Sequence, residues 1–168
     1  MVRRNRPTAA TRTSVSDDLY AQLEAEAVAL YDDQSEFLAN AGNFAALVRH
    51  ELPDVNWAGF YLVTPRGDLE LGPFSGRPAC TRIAKGKGVC GTAAQQRETL
   101  VVPDVSAFAG HIACDIASRS EIVIPLIRNA KVWAVFDIDS PLLNRFAQSD
   151  KAAIERLVEA FAHNSPSP

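Results

Sequence analysis

The stretch EIVIPLI-RNA-KVWAVFDID, running from Glu121 to Asp139, decides the fold. Two strongly apolar runs, Glu121 to Ile127 and Lys131 to Asp139, flank the short polar segment Arg128-Asn129-Ala130. Both are rich in β-branched and aromatic residues, which suit a pleated and half-buried surface, so the pattern predicts two strands joined by a turn. Upstream, VNWAGFYLV from Val55 to Val63 reads the same way. Pro65-Arg66-Gly67-Asp68 supplies its turn, and DLELGPF from Asp68 its hairpin partner. Glu98 to Val102 is a shorter strand that stops at Pro103. Around these strands lie three amphipathic helices. The first starts at a Ser16 N-cap with Asp17 and Asp18 in its first turn, and carries Leu19, Leu23, Ala27 and Leu30 on one face. The second spans Ser35 to Glu51, with Phe37, Ala41, Phe44, Leu47 and Val48 as its stripe. The last covers Phe146 to Phe161, with Ile154, Leu157, Val158 and Phe161 aligned. Two segments remain. Gly72 to Gln96 is rich in Gly and Pro and reads as a long loop with one short helix from Val89; Asp104 to Arg119 reads as a second loop. The order predicts an α+β fold, an antiparallel sheet with helices packed on one face and long loops covering a pocket on the other.

With 168 residues the chain suits one domain, expected over residues 16–163. The polar, basic residues 1–15 are expected to form a disordered arm and residues 164–168 a disordered tail. A net charge of −3 gives no general drive toward nucleic acid or anionic lipid. Without an apolar run long enough to span a bilayer, no membrane partner is expected. The basic start lacks the apolar central region of a secretory signal. Three cysteines is an odd number and argues against a structural disulfide framework, so a cytoplasmic protein with reduced thiols is expected.

The cysteines are Cys80 in RPACTRI, Cys90 in GKGVCGTA and Cys114 in GHIACDIASRS. On count alone, buried inert cysteine is the simplest reading. A zinc site from Cys80, Cys90, Cys114 and His111 lacks the paired half-sites that structural zinc favours, so no metal is expected. All three fall in expected loops, which points instead to thiol chemistry. Arg82, Lys85 and Lys87 would lower the pKa of Cys80 and Cys90, a helix start at Cys90 would add to that, and Asp115 would oppose it at Cys114. These charges leave the nucleophile open. Asp137 and Asp139 stand at i and i+2 on one strand face, with Glu121 opening the strand before. Such acids form either a solvated strand end or a site that holds an ammonium group and supplies a proton. Trp57 and Tyr61 also share a face, as core or as part of a ligand cage.

Taken together, VNWAGFYLV, GPFSGRPAC, GKGVCGTAA, VPDVSAFAGHIACDIASRSEIVIPL and FDIDSP closely resemble the free methionine-(R)-sulfoxide reductases, enzymes built on a GAF domain. The resemblance covers about Leu19 to Phe161 and includes all three cysteines. It implies a thiol-dependent reduction of free methionine-(R)-sulfoxide through a sulfenic acid and an intramolecular disulfide, with thioredoxin as reductant and no cofactor. Cys114 matches the usual nucleophile, Cys80 the resolving cysteine and Cys90 a third cysteine used catalytically in some members. Trp57 and Tyr61 match aromatics around the methyl-sulfoxide end. Glu121, Asp137 and Asp139 match acids that bind the amino group or assist proton transfer. One departure is WAVFDIDS, which places Trp133, Ala134 and Phe136 where smaller or aliphatic residues are expected, often with Gly at 134. Two other readings share these features: a non-catalytic GAF sensor and a zinc-stabilised interaction module. A homodimer is the assembly left open.

Overall fold

The computed structural model describes residues 15–112 and 115–165. All of the expected arm but Val15, and residues 166–168 of the expected tail, therefore lie outside the described residues, as does Cys114. The elements are α1 (Asp17–Leu30), α2 (Phe37–Glu51), β1 (Trp57–Val63), β2 (Leu69–Ser75), β3 (Arg82–Ile83), α3 (Gly88–Gln96), β4 (Leu100–Val102), a 3-10 turn (Val105–Ala107), β5 (Ser120–Arg128), β6 (Lys131–Ser140) and α4 (Gln148–Asn164). The strands form one antiparallel sheet in the order β3-β2-β1-β6-β5-β4.

The decisive hairpin forms as the sequence predicts, with a tighter turn. Arg128 pairs with Lys131, so Asn129 and Ala130 alone make the connection, both in the left-handed region at φ 50° and 60°. That geometry matches the right-handed twist of the strands it joins. Two expectations need correction. The loop expected from Gly72 begins later, because β2 runs through Gly72 and Pro73 to Ser75 and β3 adds a further rung. A bulge explains the tolerance of Pro73: Gly72 and Pro73 both fall between the rungs Gly59–Phe74 and Tyr61–Leu71, beyond the reach of β3, so the missing N–H costs no regular ladder bond. Phe146 also precedes α4 instead of opening it, although its side chain is buried. At the other end α4 runs through Asn164, and the buried Ser165 gives its carbonyl to Arg128 Nη2 at 2.6 Å.

The sheet separates two cores. On one face α1, α2 and α4 cover Ala58, Phe60, Ile122, Ile124, Ala134, Phe136 and Ile138. Phe44 stacks on Phe161 at 4.5 Å, and Phe60 meets Phe136 at 4.6 Å. Ser16 caps α1 by accepting from the Leu19 N–H at 3.2 Å. Ala134 and Phe136 thus belong to the helix-covered core, and Trp133 packs edge-on against Phe37. The departures at these positions leave the opposite face untouched. That opposite face carries α3, which packs Val89, Cys90 and Ala93 against Trp57, Tyr61, Val123 and Val135. One helix therefore sits on the side assigned to loops. None of the helices among the described residues is long and apolar enough to cross a membrane.

Candidate functional site

Strand register alone assembles most of the site. Asp139 on β6 is paired with Trp57 on β1 and with Glu121 on β5. Asp137, two residues earlier, is paired with Gly59 and Val123. Since side chains alternate along a strand, Trp57, Gly59 and Tyr61 share one face with Asp137, Asp139, Glu121 and Val123. The helix α3 closes over that face and points Cys90 into it. The Cys90 Sγ lies 3.3 Å from Asp137 Oδ2 and 3.9 Å from Glu121 Oε1.

The acids are not a solvated strand end. Glu121 is 5% exposed and Asp137 6% exposed. Burial, which penalises a charged carboxylate, pushes Asp137 up to about 7. Burial, followed by the charge of Asp137, raises Glu121 and Asp139 well above the usual carboxylate range. The same two causes hold the Cys90 thiol far up, with Glu121 adding to them. This reverses the sequence-level electrostatics for Cys90. Lys85 and Lys87 are its neighbours in the chain, but both are exposed, while the acids that meet its sulfur come from β5 and β6. Cys90 is also neither in a loop nor exposed: it is the third residue of α3 and buried.

The aromatic pair is packed and polar-anchored. Trp57 and Tyr61 stack with centroids 6.1 Å apart. The Trp57 indole N–H donates to the Arg77 carbonyl at 3.1 Å, and the Tyr61 hydroxyl donates to the Cys80 carbonyl at 3.0 Å. Both bonds tie the segment after β2, and with it Cys80, to the acid-bearing face. Cys80 is disulfide-bonded and Cys90 is a free thiol. Gly59 is what lets the indole lie flat. A Cβ there would fall 2.4 Å from Phe74 Cβ and 2.6 Å from Trp57 Cη2. Gly59→Ala is therefore expected to cost about 1–3 kcal/mol through overpacking. A lower melting temperature together with altered indole fluorescence would check it; an unchanged melt would show that the aromatic layer yields freely.

The residues after β4 complete the enclosure. His111 Nε2 lies 3.9 Å from Glu121 Oε2, and partial burial lowers its pKa. Asn56 Nδ2 donates to Asp115 Oδ2 and to Ser118 Oγ, both at 3.1 Å. No pattern in the chain singles out Asn56 or Ser118, since neither lies on a periodic face. Tyr61, Cys90, His111, Glu121, Asp137 and Asp139 border a cavity of about 30 Å³. That is about the space of one water molecule. A larger groove of about 450 Å³ lies between β5 and α4 and holds none of the candidate residues. Of the eight residues singled out from sequence, Trp57, Tyr61, Cys90, Glu121, Asp137 and Asp139 meet at one place, with Cys80 tied to it through its carbonyl.

Comparison with known proteins agrees with this layout. A family model described as "GAF domain" matches residues 11–164. Protein YtsP of Bacillus subtilis is 48% identical over 144 residues, covering 85% of this chain and 86% of that protein. The free methionine-R-sulfoxide reductase of Escherichia coli is 45% identical over 141 residues, covering 84% and 85%. Among solved structures, the reduced form of fRMsr from Staphylococcus aureus superposes with a TM-score of 0.83 at 44% identity, over 88% of this chain and 95% of that one. The Neisseria meningitidis free methionine-R-sulfoxide reductase in complex with its substrate gives 0.83 at 38% identity, over 94% and 95%.

Proposed function

This chain belongs to the free methionine-R-sulfoxide reductases of the GAF-domain family, and from that premise we propose that it reduces free methionine-(R)-sulfoxide by thiol chemistry with thioredoxin as reductant. The observation that carries the reading is the acid trio, with Glu121 and Asp137 buried and Asp139 half-buried, set by register beside a stacked Trp57–Tyr61 pair. Buried carboxyl groups without a matching cation are costly, and a substrate ammonium would relieve that cost. The aromatic faces suit the methyl-sulfoxide end. A peptide-bound residue has no free α-ammonium and would leave the acids unmatched, which favours the free amino acid.

The chemistry follows from the same groups. A sulfoxide sulfur becomes electrophilic when its oxygen accepts a proton or a strong hydrogen bond. Asp137, raised to about 7, holds a proton available near neutrality. The Cys114 thiolate attacks sulfur and takes the oxygen; methionine leaves and Cys114 becomes a sulfenic acid. The Cys80 thiol then condenses with it, releasing water and forming a disulfide. Thioredoxin reduces that bond by exchange, its own dithiol being oxidised. Cys80 being disulfide-bonded while Cys90 is free supports this pairing of Cys80 with Cys114. Cys90, its thiol held protonated among carboxyl groups, serves as a proton holder beside Asp137 rather than as the first nucleophile. A cavity of about 30 Å³ cannot accept an amino acid, so substrate entry requires the pocket wall to open. A cytoplasmic setting, where thioredoxin keeps thiols reduced, fits this cycle.

The decisive assay couples the purified protein to thioredoxin and compares three substrates. Free methionine-(R)-sulfoxide is expected to turn over, while the S epimer and a peptide-bound sulfoxide are largely ignored. Equal turnover of the peptide-bound form would overturn the enclosed-pocket reading. Binding of methionine-(R)-sulfoxide with no turnover would favour a sensor instead.

A further inference from the structure

We propose that Cys90, Glu121 and Asp137 form a three-ligand site for a thiophilic divalent cation, zinc by its chemistry, with His111 near enough to swing in as a fourth ligand. Three observations support it. First, one ligand atom from each of Cys90, Glu121 and Asp137 lies within 4.8 Å of the others. Tetrahedral zinc, with Zn–S of about 2.3 Å and Zn–O of about 2.1 Å, has S···O edges of about 3.6 Å. The Cys90 sulfur stands 3.3 Å from Asp137 Oδ2 and 3.9 Å from Glu121 Oε1, on either side of that edge. Second, Asp137 Oδ1 is buried and accepts no hydrogen bond, on a residue 6% exposed that borders the same cavity. A buried carboxylate oxygen without a donor calls for a cation or a proton donor. Third, His111 Nε2 lies 3.9 Å from the other oxygen of Glu121 and borders the same cavity just outside the three-ligand cluster, so a side-chain rotation would bring its imidazole to a bound ion.

One sulfur and two carboxylates, with an imidazole close by, make a donor set that selects zinc over magnesium or calcium, which prefer all-oxygen shells. This is a different set from the cysteine-rich one weighed on count, because it excludes Cys80. The ion would occupy the place proposed for the substrate's ammonium and would tie up the thiol as well. Zinc is therefore expected to hold the protein in an inactive form. Binding of the ion does not depend on which substrate the enzyme takes and is measurable without turnover.

The test uses Co²⁺ as a spectroscopic probe on the disulfide form of the full chain, in which Cys90 is the free thiol. One equivalent of Co²⁺ is expected to give a thiolate-to-cobalt charge-transfer band with the intense visible bands of a tetrahedral ion, and Zn²⁺ should displace it. Cys90→Ser should remove the charge-transfer band. Asp137→Asn and His111→Ala should each weaken Zn²⁺ binding by at least about tenfold. Thermal melting checks that the variants fold. X-ray absorption on the zinc-loaded wild type needs no variant, and it should show one sulfur with nitrogen and oxygen neighbours. Absence of any cobalt band, a band that survives Cys90→Ser, or a shell with two or more sulfurs would each overturn the proposal. None of these outcomes bears on the reductase reading, which rests on turnover.

Discussion

Replacing Cys114 by serine is expected to abolish methionine release even in a single turnover, a loss of at least about 10⁴-fold, as for other removed nucleophiles. The prediction separates three thiols that composition treats alike. Cys90 is surrounded by carboxyl groups that, with burial, keep its proton in place, so it offers little thiolate for attack. Cys80 is disulfide-bonded and is tied by its carbonyl to Tyr61, as suits a resolving partner. Cys80→Ser is therefore expected to release one equivalent of methionine and then stall under thioredoxin recycling, with the sulfenic acid trappable by dimedone. Rapid-quench measurement of methionine per enzyme distinguishes these outcomes. If Cys90→Ser alone removes the first equivalent while Cys114→Ser keeps it, the nucleophile is Cys90 and the roles proposed above are reversed.

Asp137→Asn is expected to slow the chemical step by about 10²–10⁴-fold, the usual worth of a general acid, and to raise the melting temperature at pH 8. The two effects share one cause. Burial lifts the Asp137 carboxyl from 3.8 to about 7 in the folded protein. The folded state therefore keeps a proton that the unfolded state releases near pH 4. The stability linked to that proton is complete below about pH 4 and is lost as pH rises through about 7. Glu121 and Asp139 shift in the same direction, so wild-type stability should fall as pH rises from about 4 through about 7. An amide at 137 carries no charge to bury, so its melting temperature should fall less over that range and exceed wild type at the alkaline end. Glu121→Gln and Asp139→Asn should chiefly weaken substrate binding, by about 1–3 kcal/mol for a lost charge-assisted hydrogen bond. Calorimetry across pH, with single-turnover rates at saturating substrate, measures both halves. Should all three variants keep wild-type rate and affinity, the sulfoxide receives its proton elsewhere and the acids are structural.

Much of this was legible before the structure. The hairpin at Glu121 to Asp139 announced itself through β-branched runs, because a buried strand leaves few other residue types fit for its surface. Period-two spacing put Asp137 and Asp139 on one face, and Trp57 and Tyr61 on another strand's single face, without any coordinates. The helix stripes were also visible, though α1 buries Tyr20 where the sequence favoured the exposed Leu30. The polar hydroxyl of Tyr20 hides its place in the stripe from the sequence pattern. In the fold that hydroxyl donates to Asp150 at 2.8 Å, which makes burial tolerable.

What the sequence by itself determined was local: strand against helix, which side chains share a face, and which residues carry reactive groups. Tertiary structure decided how those faces meet. That Asp139 lies between Trp57 and Glu121, and Asp137 opposite Gly59, follows from the register of β6 against β1 and β5. Register is a non-local quantity, set by how two sheet faces bury their apolar residues at once. The environment of Cys90 is the clearest case. Its chain neighbours are lysines that would favour a thiolate, and its spatial neighbours are carboxyl groups that forbid one. Coulomb forces act through space and desolvation follows burial, so the protonation of that thiol was fixed only when α3 closed on the sheet.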